Sequence, residues 1–335
     1  MVGQARLTNF TALLQFSLGQ SNPTYLVEAA DGRKDVLPKK PPGKIVSSTA
    51  HRVSREFRIL RALEQTDVPT PKVYTLCEDD GVIGTHFYIM QYIEGRHIEE
   101  PHIPGVSPEE RTEMYDHDHD AIRTLARLHR LDFSRLGLAG FGRHHGFYDR
   151  QIKTLKHVSD SQACVVDVHT KRAVGGLPHL DEMTRFFSDP SKQPRDRSCL
   201  VHGDFKIDNL IFHKTEPRVI GVLDWEMATI GHPLSDAIRA TSSPTGGPMA
   251  LPTQGQILKW YFEETGYDVS HDLTRGTAFA GFRCAVIMQG VSARLAQGQA
   301  SGKNAIIYRS QISPYTEWAL SPIHRLQQRA ERVKL

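Results

Sequence analysis

One fourteen-residue run, LVHGDFKIDNLIFH at 200–213, limits this chain more than any other feature. It sets His202, Asp204, Lys206, Asp208 and Asn209 into a stretch otherwise built from strand-forming aliphatic and aromatic residues. Polar groups in a buried strand cost desolvation unless each is partnered or used, so a run this rich in them reads as a loop with a chemical task.

The spacing names the task. Asp204 and Asn209 stand five residues apart, as in the catalytic loop of phosphoryl-transfer proteins, where the aspartate accepts the proton of an attacking hydroxyl and the asparagine holds magnesium. Fifteen residues after Asn209, the aliphatic run VIGVLDWE ends in Asp224, where a metal-binding aspartate belongs, at the end of a strand facing phosphates. Hard magnesium takes oxygen ligands, and one carboxylate plus one amide supply them while the triphosphate completes the shell. Lys206, two residues beyond Asp204, is placed to meet the transferred phosphoryl group as a compact positive charge.

Composition excludes other classes. The 335 residues suit one large domain or two lobes, and 39% hydrophobic with 24% charged content is that of a soluble globular protein. A net charge of +3 spread over 41 basic and 38 acidic residues, without single-sign blocks, predicts no nucleic-acid partner. Cys77, Cys164, Cys199 and Cys284 lie far apart with no CxxC pairing, which predicts a reducing compartment. No apolar leader and no bilayer-spanning run is present, and the final VKL matches the peroxisomal tripeptide only in its last two residues, so a cytoplasmic protein without membrane contact is expected.

Along the chain, TYLVEA (24–29) and DVL (35–37) flank Asp31-Gly32 and predict a hairpin. Val53, Phe57, Leu60 and Leu63 recur at helical spacing before Pro69 and Pro71. KVYTL and THFYIMQYI supply two more strands. After the connector EGRHIEEPHIPG, Ser107-Pro108-Glu109-Glu110 is a capping box that opens a helix to about Arg130. Short strands are expected at 200–203, 210–213 and 219–223, and helix from about Gln254 onward. The layout is an N-lobe (1–95) of sheet plus one helix, a hinge at Gln91, Tyr92 and Ile93, and a mostly helical C-lobe (96–335).

At HGDFKIDN followed by LDWE the chain resembles the aminoglycoside phosphotransferase and choline kinase group, which has HGD where protein kinases have HRD. FSLGQSNPTYLV, KKPPGK, REFRIL, CEDDGVIGTHFYIMQYIEG, VIGVLDWEMATIGHPLSD and FRCAVIMQGV resemble the branch containing the kinase-like domain of acyl-CoA dehydrogenase fusion proteins and free-standing fungal relatives, over roughly residues 10–320. These residues include no segment resembling the dehydrogenase portion, so the resemblance implies none of its flavin chemistry.

The resemblance implies an α+β, bilobal protein-kinase-like fold with ATP, or GTP, as co-substrate and Mg2+ as cofactor. It makes Asp204 the base, Asn209 and Asp224 the magnesium ligands, and Glu56 of REFRIL the helix glutamate that orients a phosphate-binding cation. The loop of Ser17, Gly19, Gln20, Ser21 and Asn22 would cover the phosphates, and Gln91 to Ile93 would offer backbone groups to the purine. The acceptor would be a small-molecule hydroxyl, held by segments around 143–190 and 240–305. Acceptors in the branch include hydroxyacyl-CoA-type substrates, and the wider group uses aminoglycosides and choline.

Two positions depart from the group's pattern: Leu18-Gly19 stands for two glycines, and Pro38 for a strand arginine. A bulge at Pro38 would let Lys39 swing into the vacant place, while Lys40 shares the face of Pro38 by alternation, so either lysine could meet Glu56 and the phosphates. The alternative is a catalytically impaired nucleotide-binding relative. His202 reads as a loop brace, His129 as core, DHDHD (116–120) as a solvated helix with histidines on different faces, and LGLAGFG (136–142) as a loop.

Overall fold

A computed structural model of the chain describes residues 10–16, 23–40, 53–98, 108–241, 253–298 and 310–332. The first ninety residues fold as alternation and turn chemistry dictate. Strands β1 (Phe10–Gln15), β2 (Thr24–Ala29) and β3 (Lys34–Pro38) run antiparallel. The hairpin between β2 and β3 closes where Gly32 takes φ +79° and Asp31 accepts the Arg33 amide. Helix α1 (Val53–Leu63) turns Val53, Glu56, Ile59, Leu60 and Leu63 inward. Its end is tied to β4 (Val73–Cys77) because the next residue, Glu64, accepts the Val73 amide at 2.7 Å. A one-turn helix α2 (Asp80–Ile83), capped by Asp79, leads into β5 (Phe87–Gln91). The sheet order is β1-β2-β3-β5-β4, with Val27, Leu37, Phe87 and Ile89 forming the core on one face.

Helix α3 (Pro108–Arg130) begins at the proline of the expected capping box; Ser107 lies outside the described residues. It packs against a three-stranded sheet of β6 (Arg96–His97), β8 (Leu210–Phe212) and β9 (Val219–Val222), and against β7 (Cys199–Val201). That packing corrects the reading of DHDHD as a solvated helix. His117 is buried against the Phe212 ring and accepts a hydrogen bond from Arg96 at 2.8 Å, and Asp120 accepts the Val219 amide. Asp118 is crowded enough that burial raises its carboxyl to about 7. Only Asp116 of the five is exposed, because the helix lies across β9 instead of standing in water. The two histidines do face different neighbours, His119 lying on Trp260.

The chain divides into two compact units, 1–142 with 199–230 and 250–266, and 143–198 with 231–249 and 267–335. The unit holding the N-terminal sheet also holds the HGD loop. In the second unit, α4 (Phe147–Ala163), α5 (Leu180–Phe187), α6 (Leu234–Thr241), α8 (Ser270–Ala296) and α9 (Ile312–Arg332) surround a core that includes Phe186, Phe187, Phe279, Phe282 and Ile323; α7 (Gln254–Thr265) packs on α3 in the first. Ser159 and Gln289, both buried, satisfy one another at 2.6 Å, and Gln289 donates onward to the Gly175 carbonyl. His232 is fully buried, hydrogen-bonded to the Arg195 carbonyl and the Tyr148 hydroxyl, and burial lowers its pKa to about 4. No described helix is long and apolar enough to cross a membrane.

Candidate active site

The HGD loop leaves β7 at Val201 and is held by its own neighbours. His202 is fully buried; one ring nitrogen donates to the Leu223 carbonyl at 2.9 Å and the other accepts the Asp204 amide at 3.3 Å. Its ring also lies against Trp225, at 4.6 Å between centroids. It braces the loop, as its buried setting in the motif predicts. Gly203 takes φ +87°, and a Cβ there would lie 2.6 Å from the Met227 carbonyl, so the tight approach of the two loops requires glycine.

That brace presents the polar residues together. The Asn209 amide donates to the Asp204 carbonyl at 2.9 Å and lies 3.3 Å from its carboxylate. The Lys206 ammonium sits 3.6 Å from Asp204 and 3.3 Å from Asp208. Asn209 also accepts the Leu223 amide at 2.8 Å, joining the loop to the residue before Asp224. β8 and β9 form the hairpin that returns the chain, and Gly221 on β9 gives room for Ile93, whose Cδ1 would stand 2.7 Å from a Cβ.

Asp224 ends this hairpin in a left-handed conformation, φ +63°, a geometry aspartate tolerates better than most residues. Although its side chain reaches solvent, its carboxyl is raised to about 6, by burial of its surroundings first and by Glu226 and Asp204 as well. Accumulated negative charge of this kind favours a cation. Among the described residues no three His, Cys, Asp or Glu side chains form a ready cage. The donor set is instead the sparse oxygen set, carboxylate and amide, that fits a divalent ion whose shell substrate phosphates complete.

Helix α1 brings Glu56 to the same unit, 6% exposed, and its charge, after burial, helps to hold the Tyr88 hydroxyl well above its ordinary range. Next to it, Arg55 donates to the Phe141 carbonyl at 2.7 Å and the Ala228 carbonyl at 3.2 Å, with its guanidinium 3.8 Å above the Phe141 ring. Sequence reasoning passed over Arg55, Tyr88 and Glu226. The E of LDWE, two residues past Asp224, was the available signal for Glu226, whereas nothing local marks an arginine whose partners are backbone carbonyls far along the chain.

The bulge expected at Pro38 does not form: β2 and β3 stay in register from Thr24 opposite Pro38 to Glu28 opposite Lys34. Lys39 therefore stays on the face opposite Pro38, its ammonium 5.0 Å over the Tyr25 ring. Lys40 is on the Pro38 side by alternation, its backbone bonded to His86 and Thr85. Gln91 ends β5, with its amide bonded to Lys72, and Tyr92 and Ile93 follow in irregular backbone. Ser17, Gly19, Gln20, Ser21 and Asn22 lie outside the described residues.

An antiparallel sheet with one helix, followed by a braced Asp-Asn loop and a hairpin ending in aspartate, defines a phosphoryl-transfer protein of the kinase-like class. The chain belongs to the phosphotransferase enzyme family, whose model matches residues 12–268. It is 36% identical over 329 residues to acyl-CoA dehydrogenase family member 11 of Gallus gallus, covering 93% of this chain and 40% of that protein. To family member 10 of Mus musculus it is 36% identical over 309 residues, covering 88% and 27%. The chain thus spans well under half the length of these relatives.

Among solved structures, a Ralstonia eutropha protein assigned as an aminoglycoside phosphotransferase is 31% identical at TM-score 0.76, covering 94% of this chain and 92% of that one. The hygromycin B and AMP-PNP complex of aminoglycoside phosphotransferase APH(4)-Ia matches at TM-score 0.60 with 16% identity over 94% and 96%, a likeness of fold.

Proposed function

We propose that this phosphotransferase is a magnesium-dependent small-molecule kinase that moves the γ-phosphoryl group of ATP, or of GTP, to a hydroxyl group. The observation that carries the reading is the convergence of Asp204 and Asn209, 3.3 Å apart, on a loop bonded through Leu223 to the strand that ends in Asp224. Nucleotide and acceptor complexes of structures sharing this fold agree with it.

In this reading Asp204 takes the proton from the acceptor hydroxyl as it attacks the γ-phosphorus, and the bond to the bridging oxygen of the nucleoside diphosphate breaks. Asn209 and Asp224 hold magnesium, which screens the phosphate charge when bound. Lys206, already close to Asp204, neutralises charge on the transferring group. Glu56 and Lys40 stand on the phosphate side of the sheet, the backbone at Gln91, Tyr92 and Ile93 meets the purine, and Ser17 to Asn22 cover the phosphates. Residues 1–95 serve as the nucleotide lobe and 96–335 as the catalytic and acceptor lobe of a cytoplasmic protein.

The test is nucleotide consumption by the purified chain against hydroxyacyl-CoAs, choline analogues, amino-alcohols and hydroxylated natural products, with Asp204→Asn as the blank. Turnover with one acceptor, absent from the blank, supports the reading. A second reading, a binding protein without turnover, is favoured by Pro38, which places no cation where the strand faces Glu56. Mg–ATP binding with no transfer to any acceptor class would support it.

A further inference from the structure

The second compact unit holds an open cleft of about 610 Å³ that none of the proposed catalytic, metal or nucleotide residues lines. Its walls are the first turn of α4, the segment 190–196 and the first turns of α8. That volume is within the range of sites that hold small molecules. Phe147, Pro190 and Pro194 give the cleft an apolar side, and its charged side is firmly built. Buried Asp272 accepts the Arg195 amide at 3.1 Å, the Arg195 Nε at 3.0 Å and the Tyr267 hydroxyl at 3.1 Å, while the Arg195 carbonyl is held by His232 at 2.9 Å. The other two aspartates of the lining are engaged as well. Asp196 accepts the Gly146 amide at 3.1 Å and stands 3.5 Å from the His145 ring, and Asp149 accepts the Gln193 side-chain amide at 2.7 Å.

Arg275 is the exception. Its Nη1 holds only the His271 carbonyl at 3.1 Å, its Nε is buried without an acceptor, and among the described residues no carboxylate pairs with it. Arg195, which gives only Nε to Asp272, has a side chain 64% exposed, so the outer end of its guanidinium is open to a ligand. We propose that this cleft binds an organic oxyanion: a small molecule with a carboxylate or phosphate group on an apolar body. Arg275 and the outer end of Arg195 hold the acid group, and Phe147, Pro190 and Pro194 cover the body. A guanidinium meets such a group with parallel N–H donors, which makes the contact both strong and directional. A neutral molecule of the same shape leaves the Arg275 charge unanswered. The assignment stands on the cleft's own residues and does not rest on the phosphotransferase reading.

The test is calorimetric titration of benzoate, phenyl phosphate and benzyl alcohol into wild type, Arg275→Ala, Arg275→Lys and Asp224→Ala, with circular dichroism recorded on each. At least one of the two acids is expected to bind wild type about tenfold or more tightly than the alcohol, and which acid binds identifies the group the cleft accepts. Arg275→Ala should lose about tenfold or more of that affinity, and Arg275→Lys should recover part of it, since an ammonium restores the charge without the fork. Asp224→Ala, in the other unit, should bind the acid as wild type does. Should Arg275→Ala not fold, Arg275→Gln, which keeps a donor but no charge, is read in its place with the same expected loss. Benzyl alcohol binding as tightly as the acids, no binding of either acid, or acid binding unchanged by the loss of the Arg275 charge would overturn the proposal. A loss in Asp224→Ala without one in Arg275→Ala would also overturn it, because the acid would then be occupying the unit that holds the HGD loop.

Discussion

Asn209 reaches back to Asp204 with two contacts from one amide nitrogen, 2.9 Å to the carbonyl and 3.3 Å to the carboxylate. The pair therefore makes a closed loop that orients the Asp204 carboxylate, the proposed base. Preorganisation of this kind keeps the reaction from having to spend binding energy on ordering the loop.

Asp204→Asn keeps the shape of that loop and removes the proposed base. Phosphoryl transfer is expected to fall about 10²- to 10⁴-fold while Mg–nucleotide affinity stays within a few fold. Single-turnover rates beside a binding isotherm check this; transfer near the wild-type rate would remove Asp204 from the role.

Gly203→Ala is expected to destabilise the protein and disable the loop. The αL conformation alone costs a non-glycine residue about 1–2 kcal/mol, and the added Cβ presses on the Met227 carbonyl. Urea unfolding together with activity decides it, and a variant as stable as wild type would contradict the close approach of the two loops.

Arg55→Ala leaves the Phe141 and Ala228 carbonyls without their guanidinium donor and removes the stacking over Phe141. A loss of about 1.5–3 kcal/mol is expected, with Arg55→Lys recovering only part, since one ammonium does not reproduce a planar fork over a ring. Chemical denaturation of the three proteins gives the ordering.

Asp118→Asn should stabilise the protein in a pH-dependent way. The folded carboxyl titrates at about 7, against about 3.9 unfolded, so the folded state holds the extra proton between these values and stability declines as pH rises across that window. Asparagine needs no such proton. The gain in melting temperature is therefore expected to be small at pH 5 and larger at pH 8; a gain of equal size at both would mean that Asp118 is not the titrating group.

His232 behaves in the opposite sense. Its folded pKa is about 4, below the unfolded value of about 6.5, so the unfolded state takes up the proton first and stability is lost as pH falls from 6.5 toward 4. Replacement by asparagine is expected to lower stability at pH 8, where the bonds to Arg195 and Tyr148 are intact in wild type, and to flatten the decline on acidification. Melting curves from pH 8 to 4.5 show whether the slope changes.

The stretch proposed as catalytic could be picked out in the sequence because its determinants are local. A five-residue gap in a tight loop and a strand that runs out at an aspartate are properties of consecutive residues, and chain geometry carries them unchanged into three dimensions. The same holds for the Asp31-Gly32 turn, for the proline that opens α3, and for the buried face of α1, where Glu56 falls among Val53, Ile59, Leu60 and Leu63. What the helix touches is another matter. Whether DHDHD meets water or Phe212, whether β3 bulges at Pro38, and which face Lys39 takes all depend on segments brought in from elsewhere: β8 and β9 for the first, and the β2 register for the other two. Tyr88 reads in sequence as one more aromatic of an alternating strand; only the pairing of β3 with β5 and the packing of α1 across them set it opposite Pro38 and edge-on to Phe57. Residue spacing along one segment thus determined the local shape of the candidate site, while strand register and helix packing, which sum many weak contacts between distant segments, decided which partner each charged group received.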